Sequence, residues 1–422
     1  MSDSEAQPIA QGTTASAAAD DQTRGHPPAV IAGFSGWLLD AFDFFLLTFC
    51  LTAIAHEFHK TDAQIALVIT MTMVFRPVGG FVFGLLADRY GRRIPLMINM
   101  GVFAVSGVLT GLVPSYTMLL VVRALFGVAM GGTWGVGASL AMEGAPANRR
   151  GLLSGLLQEG YAAGNVLAAA LYFFCFKGLG WRMLFILSSI PAVPLVLYIL
   201  FYVKESTVWQ RSVNTRLTWS GQHREVLRHW KLFVYLLLLM TAMMFASHGT
   251  QDMYPTFLQR QWHFTPQRIA VVTAISAVGA ILGGLVFGWF SDRAGRRRAI
   301  LTAFVLGAAM VPMWAYAPNQ AVLIAGAFLM QFMVQGAWGV IPAHLAELSP
   351  DSVRALLPGF AYQSAGFIAS FSMYIEARFA QKTSYSAALA VMAIVVCVFA
   401  SVMVWLGRER HGQRFGVINA SS

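Results

Sequence analysis

Apolar runs follow one another along this chain, each long enough to cross a bilayer core at about twenty residues, and they leave it few ways to fold. Backbone that enters hydrocarbon finds no water for its N–H and C=O groups, so each run is held to a helix that satisfies its own hydrogen bonds. The runs are Val30–Ile54, Ala66–Ala87, Ile94–Leu112, Tyr116–Met142, Gly151–Phe174, Met183–Val203, Leu232–Phe257, Ile269–Phe290, Ala299–Ala317, Ala321–Ala346, Ala355–Phe379 and Tyr385–Leu406. Only 11% of residues are charged, where a soluble domain has about 25%. The expected fold class is therefore an all-α membrane protein with twelve transmembrane helices.

An even number of spans puts both tails on one side. The tails and the loops after spans 2, 4, 6, 8 and 10 hold twenty of the 29 Lys and Arg, among them Arg24, Arg216 and Arg414; the opposite loops hold seven, and Arg76 and Arg123 lie within spans. That bias predicts both termini on the cytoplasmic side of a plasma membrane, a bacterial inner membrane in our expectation. The formal charge of +10 sits in short clusters between spans rather than on a basic domain, so no nucleic acid partner is expected. Cys50, Cys175 and Cys397 fall singly in apolar runs and are expected to be small packing residues. The expected organisation is a disordered tail 1–29, a six-helix bundle 30–203, a cytosolic linker 204–230, a second bundle 231–406 and a tail 407–422.

The two bundles are copies. Gly84-x-x-x-Asp88-Arg89-x-Gly91-Arg92-Arg93 recurs 204 residues on as Gly288-x-x-x-Asp292-Arg293-x-Gly295-Arg296-Arg297. The same offset relates Trp134-Gly135-Val136 to Trp338-Gly339-Val340, Glu143 to Glu347, Arg150 to Arg354 and Gly155 to Gly359. Duplication of a six-span unit makes the repeats parallel. Within the motif, Gly84 and Gly288 permit close helix approach. Asp88, Arg89, Arg92, Asp292, Arg293 and Arg296 are expected to act as a latch that can exist only while the cytosolic side is closed, their charges pairing with one another, with a helix terminus or with the facing half.

The loop motif, its duplication and twelve spans in two parallel halves resemble the major facilitator superfamily, over about Val30 to Leu406. Arg123-x-x-x-Gly127-x-x-x-Gly131-Gly132 is similar to that family's fourth-helix motif, and Glu205-Ser206 stands where members carry an E-S-P-like motif. The resemblance implies the fold and a transport function; the substrate has to come from the intramembrane polar groups.

Those groups are Asp40 and Asp43 in span 1, Arg76 in span 2, Arg123 in span 4, Gln158, Glu159, Tyr161 and Asn165 in span 5, Ser247 to Thr256 in span 7, and Tyr362, Gln363 and Ser364 in span 11. A guanidinium not consumed by an internal partner is a fork for a carboxylate; Arg76 is the first choice and Arg123 the second, the alternative being that Arg76 only neutralises Asp40 or Asp43. Pro77-Val-Gly79-Gly80 is expected to loosen span 2 beside it. Glu159 aligns at the repeat offset with Gln363, a charge in one half against an amide in the other. Trp37, Trp134 and Trp338 are expected along the path.

Ser247-His248-x-Thr250-Gln251-Asp252-x-x-x-Thr256 resembles the N-x-x-S/T-H-x-S/T-Q-D-x-x-x-T signature of the lactate and pyruvate permeases in the sialate:proton symporter group, with Met244 at the asparagine position. The Asp40-x-x-Asp43 pair is similar to the aromatic-acid and sialate symporters. On a helix His248, Gln251 and Asp252 share one face. Imidazole changes charge in the physiological range and a carboxylate one turn away can share its proton, while Pro255 is expected to bend the outer end. The assignment is therefore substrate contact by Arg76, Tyr161, Gln251 and Gln363, and proton coupling by Asp40, Asp43, Glu159, His248 and Asp252. The expected function is proton symport of a small organic anion such as lactate or pyruvate, with sialic or aromatic acids as rivals and a non-transporting sensor as the alternative class. With no phosphate loop, metal-ligand spacing or nucleophile–base pair, neither an enzyme nor a cofactor is expected, and no obligate protein partner.

Overall fold

A computed structural model describes residues 26–211, 219–413 and 415–416. Most of the expected N-terminal tail, the middle of the linker with Arg216, and Arg24 and Arg414 lie outside the described residues. The N-terminal half contains α1 (Pro27–Glu57), α2 (Asp62–Tyr90), α3 (Arg93–Leu112), α4 (Tyr116–Glu143), α5 (Arg150–Gln158), α6 (Gly160–Ser189) and α7 (Ala192–Tyr202). Two short helices, α8 (Thr207–Arg211) and α9 (Trp219–Arg228), occupy the linker. The C-terminal half contains α10 (Trp230–Gln251), α11 (Tyr254–Arg260), α12 (Pro266–Ala294), α13 (Arg296–Ala315), α14 (Gln320–Leu348), α15 (Leu356–Ala369), α16 (Ser372–Ala380) and α17 (Tyr385–Leu406).

These helices make twelve passes. Span 5 is α5 with the first part of α6; α6 turns at Gly180, whose φ of 68° suits a residue without a Cβ, and its second part with α7 forms span 6. Span 7 is α10 and α11, parted at Asp252–Met253 just before Pro255, which sits in the first turn of α11 where its missing N–H has no partner to lose. Span 11 is α15 and α16, parted at Ser370–Phe371.

Register is kept across the repeat. Both α2 and α12 are 29 residues long and are capped by Thr61 and Thr265, whose hydroxyls accept from Gln64 N and Arg268 N. Both end at a glycine, Gly91 with φ 97° and Gly295 with φ 91°, a backbone region closed to most side chains, which explains the glycine of the loop motif. The three cysteines are free, as packing residues would be.

One local expectation fails. α2 runs without interruption through Pro77, because a single missing N–H is tolerated where flanking turns and neighbouring helices hold the rod. Gly79 and Gly80 serve contact instead: a Cβ on Gly79 would run into the Val128 carbonyl of α4, and one on Gly80 would lie 3.1 Å from Gln363 Cγ of α15. Gly79→Ala is therefore expected to force α2 from α4 and destabilise the N-terminal half by about 1–3 kcal/mol. Thermal melting of the purified variant reads this as a lowered Tm.

Candidate functional site

At the face carrying the duplicated loop motif the halves are locked together, twice, by the same device. Asp88, at the end of α2, accepts from Ala355 N and Leu356 N at the start of α15, both at 3.0 Å. Asp292, at the end of α12, accepts from Gly151 N and Leu152 N at the start of α5, at 2.7 and 2.9 Å. Each aspartate thus satisfies orphan N–H groups of a helix in the opposite half and lies at the positive end of its dipole.

Behind each aspartate lies an arginine. Arg92 bonds Asp88 at 3.0 Å and Glu143 at 2.9 Å; Arg296 bonds Asp292 at 2.8 Å and Glu347 at 2.9 Å. Burial alone would lower the Arg92 pKa, but Glu143, Asp88 and Glu205 together hold it above its ordinary value. Its charge is therefore fixed, and Arg92 is a clamp rather than a proton carrier. Glu205 caps α3 through Arg92 N and Arg93 N at 2.8 and 3.1 Å, and Glu409 does the same for α13. Of the other motif arginines, Arg89 lies over the Tyr90 ring and Arg293 over the Trp289 ring, while Arg93 and Arg297 donate to the carbonyls of Ile199 and Val404.

The network crosses between halves a second time through residues that the motif alone does not single out. Arg150 reaches Glu347 at 3.1 Å and Arg354 reaches Glu143 at 3.5 Å. Phe415, from the C-terminal tail, is wedged between their guanidiniums at 3.9 and 3.8 Å. The repeat offset was the signal available for these four charged residues, since each matches its copy.

Deeper in, the halves meet around Arg76, midway along α2. Its Nε donates to Gln363 Oε1 of α15 at 2.8 Å, and Gln363 Nε2 donates to the Gly131 carbonyl of α4 at 3.0 Å. Among the described residues Arg76 is in no ion pair. Asp43, one of the two acids expected to neutralise it, bonds Arg123 instead at 2.5 and 2.9 Å. That pair is fully buried, with Arg123 between Phe126 and Phe185. Arg123 is consumed by its partner and offers no free fork for an anion. Asp40 is also buried, beside Thr133, and is in no ion pair among the described residues. The charge of Arg76 acts on Asp40, Tyr161 and Tyr362, so these four groups share one environment without a salt bridge among them.

Aromatic rings from both halves line this level. Tyr362 stacks on Trp134 at 4.1 Å and meets the edges of Trp37 at 6.0 Å and Trp338 at 5.8 Å. Tyr161 stacks on Trp37 at 5.3 Å. The indole N–H groups of Trp37 and Trp338 are buried without a hydrogen-bond partner among the described residues. Glu159 lies at the α5–α6 junction, its carboxylate against Gly284 of α12. It occupies the place that Gln363 has in the other half, but the second half has Ala280 where the first has Arg76.

The span 7 cluster is divided. His248 Nδ1 lies 3.0 Å from Asp252 Oδ2, and both side chains are about two-fifths exposed, at 41% and 36%. Gln251 turns to α14, donating to Gln331 at 2.7 Å, and Ser247 accepts from Gln335 at 3.0 Å. Gln251 is thus tied into its own half rather than to Arg76. Among the described residues, the hydrogen bonds that join the halves run from the motif face to the level of Arg76 and Gln363, and the His248–Asp252 pair lies beyond them. The molecule is closed on the motif side.

The sequence profile of the Major Facilitator Superfamily matches residues 33–255 and 252–417, and the chain belongs to that family. It is 28% identical to a carboxylic acid transporter protein homolog of Saccharomyces cerevisiae over 90% of this chain and 67% of that one. It is also 28% identical to the sialic acid transporter NanX of Escherichia coli, over 80% and 84% of the two chains. A solved structure of the proton:xylose symporter XylE superposes with a TM-score of 0.75 at 16% identity, covering 92% of this chain and 97% of that one, a likeness of fold. The expected membership, the twelve-helix fold and the kinship with sialate transporters are borne out.

Proposed function

We propose that the protein is a secondary transporter that carries a small organic acid together with a proton, and that a monocarboxylate such as lactate or pyruvate is its substrate. The observation that carries this is Arg76: a guanidinium midway through the molecule, held by Gln363 from the opposite half and in no ion pair among the described residues. A guanidinium fork offers two parallel N–H donors to a carboxylate. Tyr161 and Tyr362 add hydroxyls beside it, and Trp37 and Trp338 add unpartnered N–H groups. Asp40 and Glu159, acids without a counter-ion, and the exposed His248–Asp252 pair are the groups assigned to the proton. Asp43 is better suited to holding Arg123 and ordering the N-terminal half.

The reading is completed by alternating access about the Arg76 level, with the motif latch closing the cytosolic side and both termini cytosolic in a bacterial inner membrane. A larger acid is the second reading. It is supported by the likeness to a sialic acid transporter and, for aromatic acids, by the stacked Trp134 and Tyr362.

Purified protein in proteoliposomes tests the reading. An inside-alkaline gradient is expected to concentrate labelled lactate, and accumulation that ignores protons but follows sodium would refute proton coupling. Sialate and benzoate as competitors decide the substrate class. His248→Ala is expected to flatten the dependence of uptake on external pH while leaving lactate exchange in place; an unchanged profile would make His248 a structural residue.

A further inference from the structure

Glu376 lies in α16, the outer part of span 11, and was not among the groups singled out from the sequence. The residue is 1% exposed, and among the described residues neither carboxylate oxygen has a hydrogen-bond partner. It is aimed at α10: a Cβ on Gly249 would lie 3.3 Å from Glu376 Oε1 and 2.9 Å from Met392 Cγ of α17. Glycine at 249 therefore lets the carboxyl approach the backbone of α10 immediately after His248. Of the elements packed against α16, the C-cap of α10 is Asp252, whose charge acts on Glu376 and which is itself paired with His248, and α17 presents Met392.

A carboxylate ion in such an enclosure, with neither cation nor donor, would cost several kcal/mol. The enclosure fits the neutral acid. A carboxyl that only served packing would be an expensive choice here, because an apolar side chain of that size needs no proton to stay buried. We propose that Glu376 is a proton-binding site of this transporter, set where the two interrupted helices of the C-terminal half meet and fed from the exposed His248–Asp252 pair. Span 11 is also the span whose other end Asp88 holds, across the break at Ser370–Phe371. The inference rests on the symport reading above, and it adds a residue that neither the repeat nor the span 7 signature marks, since the first half has Tyr172 at the corresponding place.

The test uses full-length protein in proteoliposomes, with labelled lactate as the probe and pH-difference infrared spectra of the same samples. Glu376→Gln, which keeps shape and removes the titrating group, is expected to exchange lactate between equilibrated compartments as the native chain does but to lose accumulation driven by a proton gradient. The carboxylic C=O band that the native chain loses on alkalinisation is expected to be missing from its spectrum. Glu376→Asp, which retains an acid, is expected to keep both the band and some accumulation. Native-level accumulation by Glu376→Gln, or an unaltered titrating band, overturns the proposal. The infrared measurement needs no lactate: native protein that ignores lactate or the gradient refutes the symport reading, while the band still decides whether Glu376 gains and loses a proton.

Discussion

Arg76→Lys is expected to reduce lactate uptake by about a hundredfold or more, since two charge-assisted hydrogen bonds to a carboxylate contribute about 1.5–3 kcal/mol each. Lysine keeps the positive charge, so the comparison isolates the fork. It also loses the Nε donor that holds Gln363 Oε1 at 2.8 Å and with it the preset angle of the group. The fold is expected to survive, because Arg76 is in no ion pair among the described residues and lysine keeps the positive charge that acts on Asp40. Uptake in proteoliposomes, read beside the thermal melting curve of the same preparation, separates the two. Native uptake by the lysine variant would move the carboxylate site elsewhere, and a collapsed melting curve would make Arg76 a structural residue.

The second large effect is expected at the latch. Asp88→Asn with Asp292→Asn replaces two carboxylates, each accepting a pair of N–H groups from the opposite half, with amides that have one acceptor oxygen and no charge. Loss of about 1.5–3 kcal/mol at each aspartate shifts the balance between closed and open motif faces by about a hundredfold or more. Spin labels at the motif-face ends of α5 and α12 measure it as a longer distance population. An unchanged distribution would leave the aspartates as helix caps without a part in closure. The single substitutions are expected to give smaller and similar shifts, because the two devices are copies.

Much of this architecture is legible in the sequence because it is written twice. Apolar runs define the spans, and an ungapped offset defines the halves. The partners of the latch were less legible: Asp88 was visible as a motif residue, but the helix it caps belongs to the other half, and helix facing is not a property of local sequence. Glu143, Glu347, Arg150 and Arg354 showed as repeat matches without a role, since their pairing crosses the same boundary. The Asp43–Arg123 pair joins residues 80 apart in the chain, and Arg123 read alone passes for a group near a membrane face. Pro77 misled because a proline beside two glycines marks a weak point in an isolated helix, whereas here the glycines seat α2 against α4 and α15. Glu376 escaped notice between Tyr374 and Arg378, in a stretch that reads as the polar end of a span and is instead folded inward by the break at Ser370–Phe371.

The glycines where the halves touch have a consequence for how they part. A Cβ at Gly84 would lie 2.7 Å from Leu356 Cα, one at Gly288 would lie 2.5 Å from the Gly151 carbonyl oxygen, and one at Gly135 would lie 2.7 Å from Gly359 Cα. Backbone lies close to backbone at these three positions. Few side-chain contacts have to break at these points for the surfaces to separate, so much of the holding strength falls to the polar bridges between the halves, at the motif face and at Arg76–Gln363. Substituting the glycines and substituting the bridging charges are therefore expected to act differently, the first on how closely the halves pack and the second on how firmly they hold.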